Sequence, residues 1–398
     1  MRDALRDRAA RDVIRKVHLW SNNVGLLTAI ISSLIPEGED IRPSSIESIV
    51  LSDVDISDLF ARHRFPKLRN LHLSGHFRIP SWDHLKSTTT ALTDLSLDFN
   101  TTVPSSAVPT TSQILSFLAS NPNLRFLTLS MLPINDDGGG DPRLQVPLHH
   151  LERISLTGPF CHLFPILQRL ESPERMDHVE IMLLDCKPQE VLEVIGSYIR
   201  GYLRDARFRD RLGMSLRSTA RCILAYARAV GVGYHGPNRL PRDGFPYRRF
   251  EARPSRMISR DLREKLCIDI LALLPQERIV DFDTNLSVTE EVAITMPNIE
   301  VLYLLHPVVS DGFLLPDLNG PNARKKLLPS LRRLYLERVR AADDDWDPLI
   351  TYLAHQTSGG QAVSLDLFGK VHVCSEVIEE IEGLVEKLVY ELLKLTRR

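Results

Sequence analysis

Residues 68–73 read LRNLHL and residues 92–97 read LTDLSL, so both stretches carry apolar side chains at positions one, four and six. The same spacing returns at Leu124, Leu127 and Leu129, at Leu151, Ile154 and Leu156, and at Leu331, Leu334 and Leu336. Looser copies begin at residues 14, 46 and 176. Alternation between the last two apolar positions favours a β-strand. Recurrence of one unit along the chain indicates a repeat architecture rather than a single closed core.

Helix-like segments lead into these strands through Pro or Asn turns. Residues 114–118 read ILSFL and are followed by Asn121-Pro122-Asn123 and the strand at Leu124. Pro and Asn end a helix and turn the chain, so each unit contains one helix and one parallel strand. The sequence therefore predicts an α/β fold, namely an irregular leucine-rich-repeat solenoid of about eleven or twelve units. A curved parallel sheet would line its concave face, with helices outside.

We predict a single solenoid over residues 1–398, divided into four parts. Residues 14–185 form N-terminal repeats, and residues 261–370 form C-terminal repeats. Residues 186–260 form an irregular insertion, with a long helix from Pro188 to Arg211, two short strands over 212–228 and a loop rich in Gly and Pro. A charged amphipathic helix over residues 375–396, with Ser375 as its N-cap, closes the solenoid.

Composition limits the classes of partner. Lys and Arg number 49 and Asp and Glu number 51, which gives a net charge of -2 and predicts no general attraction to nucleic acid or acidic membranes. The five cysteines contain no C-x-x-C pair, which favours reduced thiols inside the cell. The first residues lack the apolar region of a secretory signal, and no apolar run is long enough to cross a bilayer. We expect a soluble cytoplasmic or nuclear monomer.

Three motifs suggest chemistry but have simpler explanations. Residues 231–236, GVGYHG, match the dinucleotide fingerprint, yet the prolines that follow prevent a helix from starting there. The arginine run over residues 200–221 is read as a solvated helix face. The pairs Cys161-His162 and His149-His150, and His372 with Cys374, lack zinc spacing. We therefore expect no catalytic residue, no cofactor and no metal, although sequence alone does not exclude an enzyme, because catalytic triads are assembled in space.

The residues between the buried leucines are the better candidates for function. In such repeats they point out from the concave sheet, and exposed aromatic side chains beside small polar ones are typical of protein-binding surfaces. The alternative is an ordinary solvated sheet face. The predicted partner-binding residues are His18, Trp20, His72, Ser96, Asp98, Thr128, Ser155, Glu180, Tyr303 and Tyr335.

Five stretches of the C-terminal half carry a family resemblance. They are residues 266–277 (LCIDILALLPQE), 296–302 (MPNIEVL), 328–336 (LPSLRRLYL), 345–349 (DWDPL) and 374–377 (CSEV). In order and spacing, from about residue 120 to the end, the chain resembles the leucine-rich region of the large F-box protein families of basidiomycete fungi.

The resemblance implies a role as the substrate-receptor part of an SCF-type cullin ubiquitin ligase, with the substrate on the repeats. The F-box module is not visible, because the first repeat begins near Ile14. The SCF adaptor is therefore an expected partner only if an F-box lies upstream. The other reading left open is a stand-alone structural or regulatory leucine-rich-repeat scaffold with no link to ubiquitin.

Overall fold

The chain forms two compact units, Met1–Cys186 (unit 1) and Lys187–Arg398 (unit 2). Unit 2 begins one residue after residue 186, where the predicted insertion begins. A computed structural model describes residues 15–20, 45–53, 60, 64–75, 79, 81–99, 108–135, 145–171, 176–196, 212–219, 222–229, 247–254, 257–285, 296–310, 314, 327–341, 345–369 and 373–390.

Unit 1 contains a sheet of seven described parallel strands, which lie side by side in chain order. A separate pair of two-residue strands, β6 with β8, lies outside that sheet. The strands are β1 (Lys16–Trp20), β2 (Ser48–Ser52), β3 (Asn70–Gly75), β4 (Asp94–Phe99), β5 (Phe126–Ser130), β6 (Val146–Pro147), β7 (Arg153–Pro159), β8 (Leu170–Glu171) and β9 (His178–Cys186). Each repeat predicted from the apolar pattern thus contributes one strand.

The predicted apolar positions form the core of unit 1. Leu71 and Leu73 of β3 are buried and pair in register with Leu95 and Leu97 of β4. The register continues this row of buried residues across the sheet through Leu127, Ile154 and Val179. Full burial of one such side chain stabilises the fold by roughly 1.5–3 kcal/mol.

The same backbone hydrogen bonds recur at the starts of successive strands. The N–H groups of Arg69 and Asn70 both donate to the carbonyl oxygen of Glu47, at 2.8 and 3.1 Å. In unit 2 the N–H groups of Arg332 and Arg333 both donate to Glu300 in the same way, at 2.8 and 3.0 Å. The strand starts at 47–48, 93–94, 125–126, 152–153 and 177–178 follow this pattern as well. These seven strands therefore share one local geometry at their entry.

Several strands also end in the same way, at a residue with positive φ that we call the left-handed corner. Asp53 (φ 56°) follows β2 and donates its N–H to the carbonyl of Ser74, at 2.9 Å. Met131 (φ 52°) follows β5 and donates to Thr157, at 2.7 Å. At each of these two corners one hydrogen bond joins the end of the strand to the next strand.

Three described helices belong to unit 1: α1 (Trp82–Thr88), α2 (Thr111–Ala119) and α3 (Phe160–Leu167). Thr110 and Gln113 form a capping box at the start of α2. After α2, the Asn121 amide donates to the carbonyl of Phe117 at 3.0 Å, and its oxygen accepts from the backbone of Leu92 at 3.3 Å. The predicted Asn turn is confirmed, since this side chain joins the helix end to the preceding repeat.

Unit 2 combines parallel strands with an antiparallel segment. Its helices are α4 (Pro188–Val194), α5 (Arg260–Ala272), α6 (Asp347–Ser358) and α7 (Ser375–Leu384), with a short 3-10 turn at Gln276–Arg278. Its strands are β10 (Leu212–Thr219), β11 (Cys222–Ala229), β12 (Tyr247–Pro254), β13 (Ile279–Thr284), β14 (Val301–Leu305), β15 (Val308–Val309), β16 (Arg333–Glu337), β17 (Arg340–Ala341), β18 (Ser364–Phe368) and β19 (Lys387–Tyr390).

The main sheet of unit 2 has the described strand order β12-β11-β10-β13-β14-β16-β18-β19. Strand β11 runs antiparallel to both of its neighbours, β10 and β12. The remaining pairs of the sheet, from β10 through β13, β14, β16 and β18 to β19, are parallel. The predicted strands over 212–228 are thus longer than expected, at eight residues each. Of the predicted helix from Pro188 to Arg211, the first turns are present as α4, and residues 197–211 lie outside the described residues.

The predicted closing helix over residues 375–396 is wrong in its second half. Helix α7 ends at Leu384, and Val385 adopts an extended conformation (φ -113°, ψ 152°). Strand β19 follows and places Leu388 in register with Leu365. Pairing with β18 therefore overrides the helical pattern. Cys374, rather than Ser375, occupies the N-cap position, and residues 391–398 lie outside the described residues.

Candidate partner-binding faces

The predicted binding residues of unit 1 lie in two neighbouring columns on one face of its sheet. The register places His72 beside Ser96, Ser96 beside Thr128 and Thr128 beside Ser155, which in turn lies beside Glu180. His18, His72 and Asp98 are exposed, and Ser96, Thr128, Ser155 and Glu180 are half-buried. The backbone of Trp20 pairs with Ser52, but its side chain lies outside the described residues. This face is therefore polar and built mainly of small side chains.

In unit 2 the two predicted tyrosines form a stack. The rings of Tyr303 and Tyr335 lie 4.0 Å apart between centroids, at an interplanar angle of 12°. Contrary to the expected exposed column, Tyr303 is buried, at 5% exposure, while Tyr335 is half-buried. Phe368, which the sequence prediction missed, extends the stack at 6.0 Å from Tyr335 and remains 36% exposed. We call Tyr303, Tyr335 and Phe368 the aromatic ladder.

Arg333 holds the central ring of the ladder. Its guanidinium lies 4.5 Å from the centroid of Tyr335, within the range of a cation–π interaction. The same group donates through Nε and Nη2 to the carboxylate of Asp366, at 2.6 and 3.4 Å. This hydrogen bond raises the pKa of Arg333. Burial raises the pKa of Tyr335, although a hydrogen bond with Tyr303 acts to lower it. Both side chains are thus fixed by their neighbours.

Arg217 and Asp283 form a second ion pair on the same sheet. Nη2 of Arg217 donates to Oδ2 of Asp283, which also accepts from the hydroxyl of Ser215 at 3.2 Å. Arg217 lies in the second part of the arginine run, beyond the predicted helix, and belongs to strand β10. Residues Met214 and Leu216 of β10 are buried, so the period of two places Ser215 and Arg217 on the opposite face.

Strand β12 adds a third carboxylate that is shared by two arginines. Oε2 of Glu251 accepts from Nη2 of Arg249 at 2.9 Å, and Oε1 accepts from Nε of Arg253 at 2.8 Å. Burial acts to raise the pKa of Glu251, but the two guanidinium groups outweigh it and hold this pKa below its ordinary value. Sγ of Cys222 lies 3.6 Å from Oε1. The cluster is therefore an ionised carboxylate with two fixed cations.

The pairs of Arg217 and Arg333 were not predicted because their partners are distant in sequence. Asp283 is 66 residues from Arg217, and Asp366 is 33 residues from Arg333. A short pattern gives no sign of such pairs, although the alternation of polar and apolar residues in β10 and β16 places each arginine on the polar face. Stacked tyrosines and salt-bridged arginines present fixed side chains with both apolar and hydrogen-bonding surface. Such an arrangement is suited to binding a protein.

The described residues contain no group of three or more His, Cys, Asp or Glu side chains placed to hold a metal ion. No described helix combines the length and the apolar composition needed to span a membrane. No family model matches the sequence, and no curated protein gives a significant match.

Proposed function

We propose that this protein is a recognition scaffold, which binds another protein through the polar sheet face of unit 2 as the substrate receptor of an SCF-type ubiquitin ligase. The aromatic ladder is the single observation that carries the binding role. Tyrosine and arginine, with tryptophan, are the residues most enriched among those that dominate binding energy at protein interfaces. On this face Tyr335 and Arg333 lie together, beside the exposed ring of Phe368.

The ladder suits binding because its side chains are already ordered. Tyr335 is held on one side by Tyr303 and is contacted by Arg333, which Asp366 fixes in turn. Ordering a mobile side chain at an interface costs about 0.5–1.5 kcal/mol. A partner that docks on a fixed ring avoids most of that cost, so more of the contact energy remains as affinity.

The polar face of unit 1 supplies a second, weaker surface. Its exposed residues are His18, His72 and Asp98, which are surrounded by half-buried hydroxyl side chains. Polar residues of this kind are typical of the rim of an interface, where they add hydrogen bonds and little desolvation energy. We therefore place the main binding energy on unit 2.

The link to ubiquitin rests on the resemblance of residues 266–377 to fungal F-box proteins. The alternative function is a stand-alone regulatory scaffold that uses the same face without a ligase. The two differ in a measurable partner, since only a ligase receptor recovers the SCF adaptor and its cullin.

The test is quantitative mass spectrometry of proteins that copurify with the tagged full chain from its native cells. Tyr335→Ala removes the centre of the ladder. Phe164→Ala is the matched control, because Phe164 belongs to helix α3 of unit 1, where it stacks on Phe160 at 4.7 Å, and is not part of the sheet face of unit 2. We expect a partner that is retained by Phe164→Ala and reduced about tenfold or more by Tyr335→Ala.

The outcomes separate the readings. If the wild-type chain, Tyr335→Ala and Phe164→Ala recover every copurifying protein equally, binding through this face is contradicted. Recovery of the SCF adaptor and cullin with the wild-type chain supports the ligase role. A Tyr335-dependent partner without them supports the stand-alone scaffold.

A further inference from the structure

We propose that the partner segment bound by unit 2 is an extended acidic peptide, recognised by arginines that buried carboxylates hold in place. This inference rests on the proposed function and adds the chemistry of the partner. Four arginines carry it. They are Arg249 and Arg253 of β12, Arg217 of β10 and Arg333 of β16, and together with the aromatic ladder we call them the arginine face.

The strand register places all four on one face of the sheet. Leu224 of β11 pairs with both Glu251 and Arg217, so the β12 cluster lies on the same side as Arg217. Ser215 of β10 pairs with Asp283 of β13, which in turn pairs with Tyr303 of β14. Tyr303 pairs with Tyr335 of β16. Arg333 is two residues before Tyr335 and therefore shares its face.

Exposure differs sharply between the two partners of every ion pair. The side chains of Arg253, Arg333, Arg249 and Arg217 are 55%, 45%, 32% and 27% exposed. Their carboxylate partners Asp283, Glu251 and Asp366 are only 9%, 7% and 3% exposed. The same face carries two further carboxylates, Asp281, which is 7% exposed, and Glu337, whose side chain is 24% exposed. A partner that approaches this face therefore meets mainly guanidinium groups, while most of the negative charge lies beneath them.

The buried carboxylates also prepare the arginines for binding. A guanidinium has five N–H donors in a fixed plane, and Arg253 donates to Glu251 through its Nε. Arg333 uses two nitrogens on Asp366, which leaves further N–H donors on the same rigid fork. A fixed fork of this kind suits the bidentate recognition of a carboxylate. The chemistry that complements the arginine face is therefore a segment with Asp or Glu side chains.

The spacing of the strands sets the length of that segment. Between β12 and β18 the sheet contains six intervals between neighbouring strands. At about 4.8 Å for each interval, its width is about 29 Å. An extended peptide rises about 3.3 Å per residue, so about nine residues cross the whole face. Its acidic side chains would reach the β12 arginines at one end and Arg333 beside the ladder at the other.

The test measures fluorescence anisotropy of labelled nine-residue peptides with the full chain. The probes alternate Gly with Glu, Gln or Lys, and a nine-nucleotide thymidine strand represents a nucleic-acid ligand. The variant Arg333→Gln/Asp366→Asn removes a guanidinium and its carboxylate together, so no buried charge is left alone. The matched control Arg125→Gln/Glu152→Gln removes an ion pair of 2.6 Å in unit 1, outside the arginine face.

We expect the Glu peptide to bind more tightly than the other probes and to lose affinity as salt is added. Its affinity should fall about fivefold in the Arg333 pair variant and stay within about twofold in the control. Should the pair variant unfold, Arg253→Gln provides the same comparison, because Glu251 keeps Arg249. Circular dichroism checks the fold of each variant.

Three results would overturn the acidic partner. They are equal or tighter binding of the Gln or Lys peptide, tighter binding of the thymidine strand, and no binding of any probe. None of these results contradicts the proposed function, which is tested by copurification. A partner that copurifies with the wild-type chain and is lost in Tyr335→Ala would then bind through a neutral or basic segment.

Discussion

Gly369 offers a direct test of the left-handed corners. It follows β18 with φ +86°, and a Cβ built on it would lie 2.9 Å from Cγ of Arg338 and 3.5 Å from the Arg338 backbone nitrogen. Arg338 is itself the corner after β16 (φ 55°), and its N–H donates to the carbonyl of Phe368 at 2.8 Å. Successive corners are thus in contact, and an Ala at position 369 must meet both a backbone and a steric cost.

The backbone cost and the steric cost have different physical causes, so we add them. A left-handed conformation costs a non-glycine residue roughly 1–2 kcal/mol, part of which is offset because Ala restricts the unfolded chain more than Gly does. Carbon atoms prefer separations of about 3.5–4.0 Å, so a contact of 2.9 Å forces Arg338 to shift. Such overpacking adds about 1 kcal/mol or more. We expect Gly369→Ala to lower the free energy of unfolding by about 2–3 kcal/mol.

Gly360 provides the matched control in the same unit. Its φ is +76°, but a Cβ at this position meets no atom within 4 Å. Gly360→Ala should therefore show the backbone cost alone, about 1 kcal/mol. The comparison isolates the contact between neighbouring corners, because the φ angles of the two glycines differ by only 10°.

A double-mutant cycle assigns the difference to Arg338. Arg338→Gly alone should raise the free energy of unfolding by up to about 1 kcal/mol, since glycine adopts positive φ without strain. In that background Gly369→Ala should cost no more than Gly360→Ala. The assay is native-state hydrogen exchange of the β18 amides, which reports the free energy of opening for this part of the chain. Equal losses for the two glycine variants, or a Gly369 cost independent of residue 338, would refute the reasoning.

Three shorter predictions concern the core, the charges and the thiols. Leu334→Ala deletes a fully buried side chain of β16 and should lower the free energy of unfolding by about 3 kcal/mol in urea titration, whereas a loss below about 1 kcal/mol would argue against this core. Because the pKa of Glu251 is depressed in the folded state, its stabilisation is present above the ordinary pKa of 4.5 and is lost as pH falls through the folded value. Glu251→Gln should therefore flatten the acid limb of a stability–pH curve, and an unchanged limb would contradict the assignment. Burial and the charge of Glu251 raise the pKa of Cys222 to about 11, so iodoacetamide at pH 8 should modify the exposed Cys161 well before Cys222, and equal rates would contradict this order.

The strands of both units could be predicted because their signal is local. The spacing in residues 68–73 requires only that one face be buried, and Leu68, Leu71 and Leu73 are all buried as expected. The same reasoning located β16, where Leu334 and Leu336 face the core. A period of two identifies which side chains turn inward without any knowledge of the neighbouring repeat.

The end of the chain shows where local signals fail. Residues 375–395 follow a helical pattern, and α7 uses the first half of it. From Lys387 to Tyr390 the chain pairs instead with β18, where Leu388 and Val389 lie beside Leu365 and Asp366. The unpaired edge of a neighbouring strand supplies backbone hydrogen bonds that no helical propensity reveals, so the strand forms there.

Exposure on the sheet faces depends on side-chain size in the neighbouring repeats, which explains the one tyrosine that was misjudged. His72 lies beside Val50 and Ser96, which are too small to cover it, and it is exposed. Tyr303 occupies an equivalent position in unit 2 but lies beside Tyr335, whose ring covers it at 4.0 Å. A partner can gain energy only from the surface that remains accessible. Tyr303 therefore serves as the platform that fixes Tyr335, and the contact surface of the proposed site is formed by Tyr335 with the arginines and Phe368 around it.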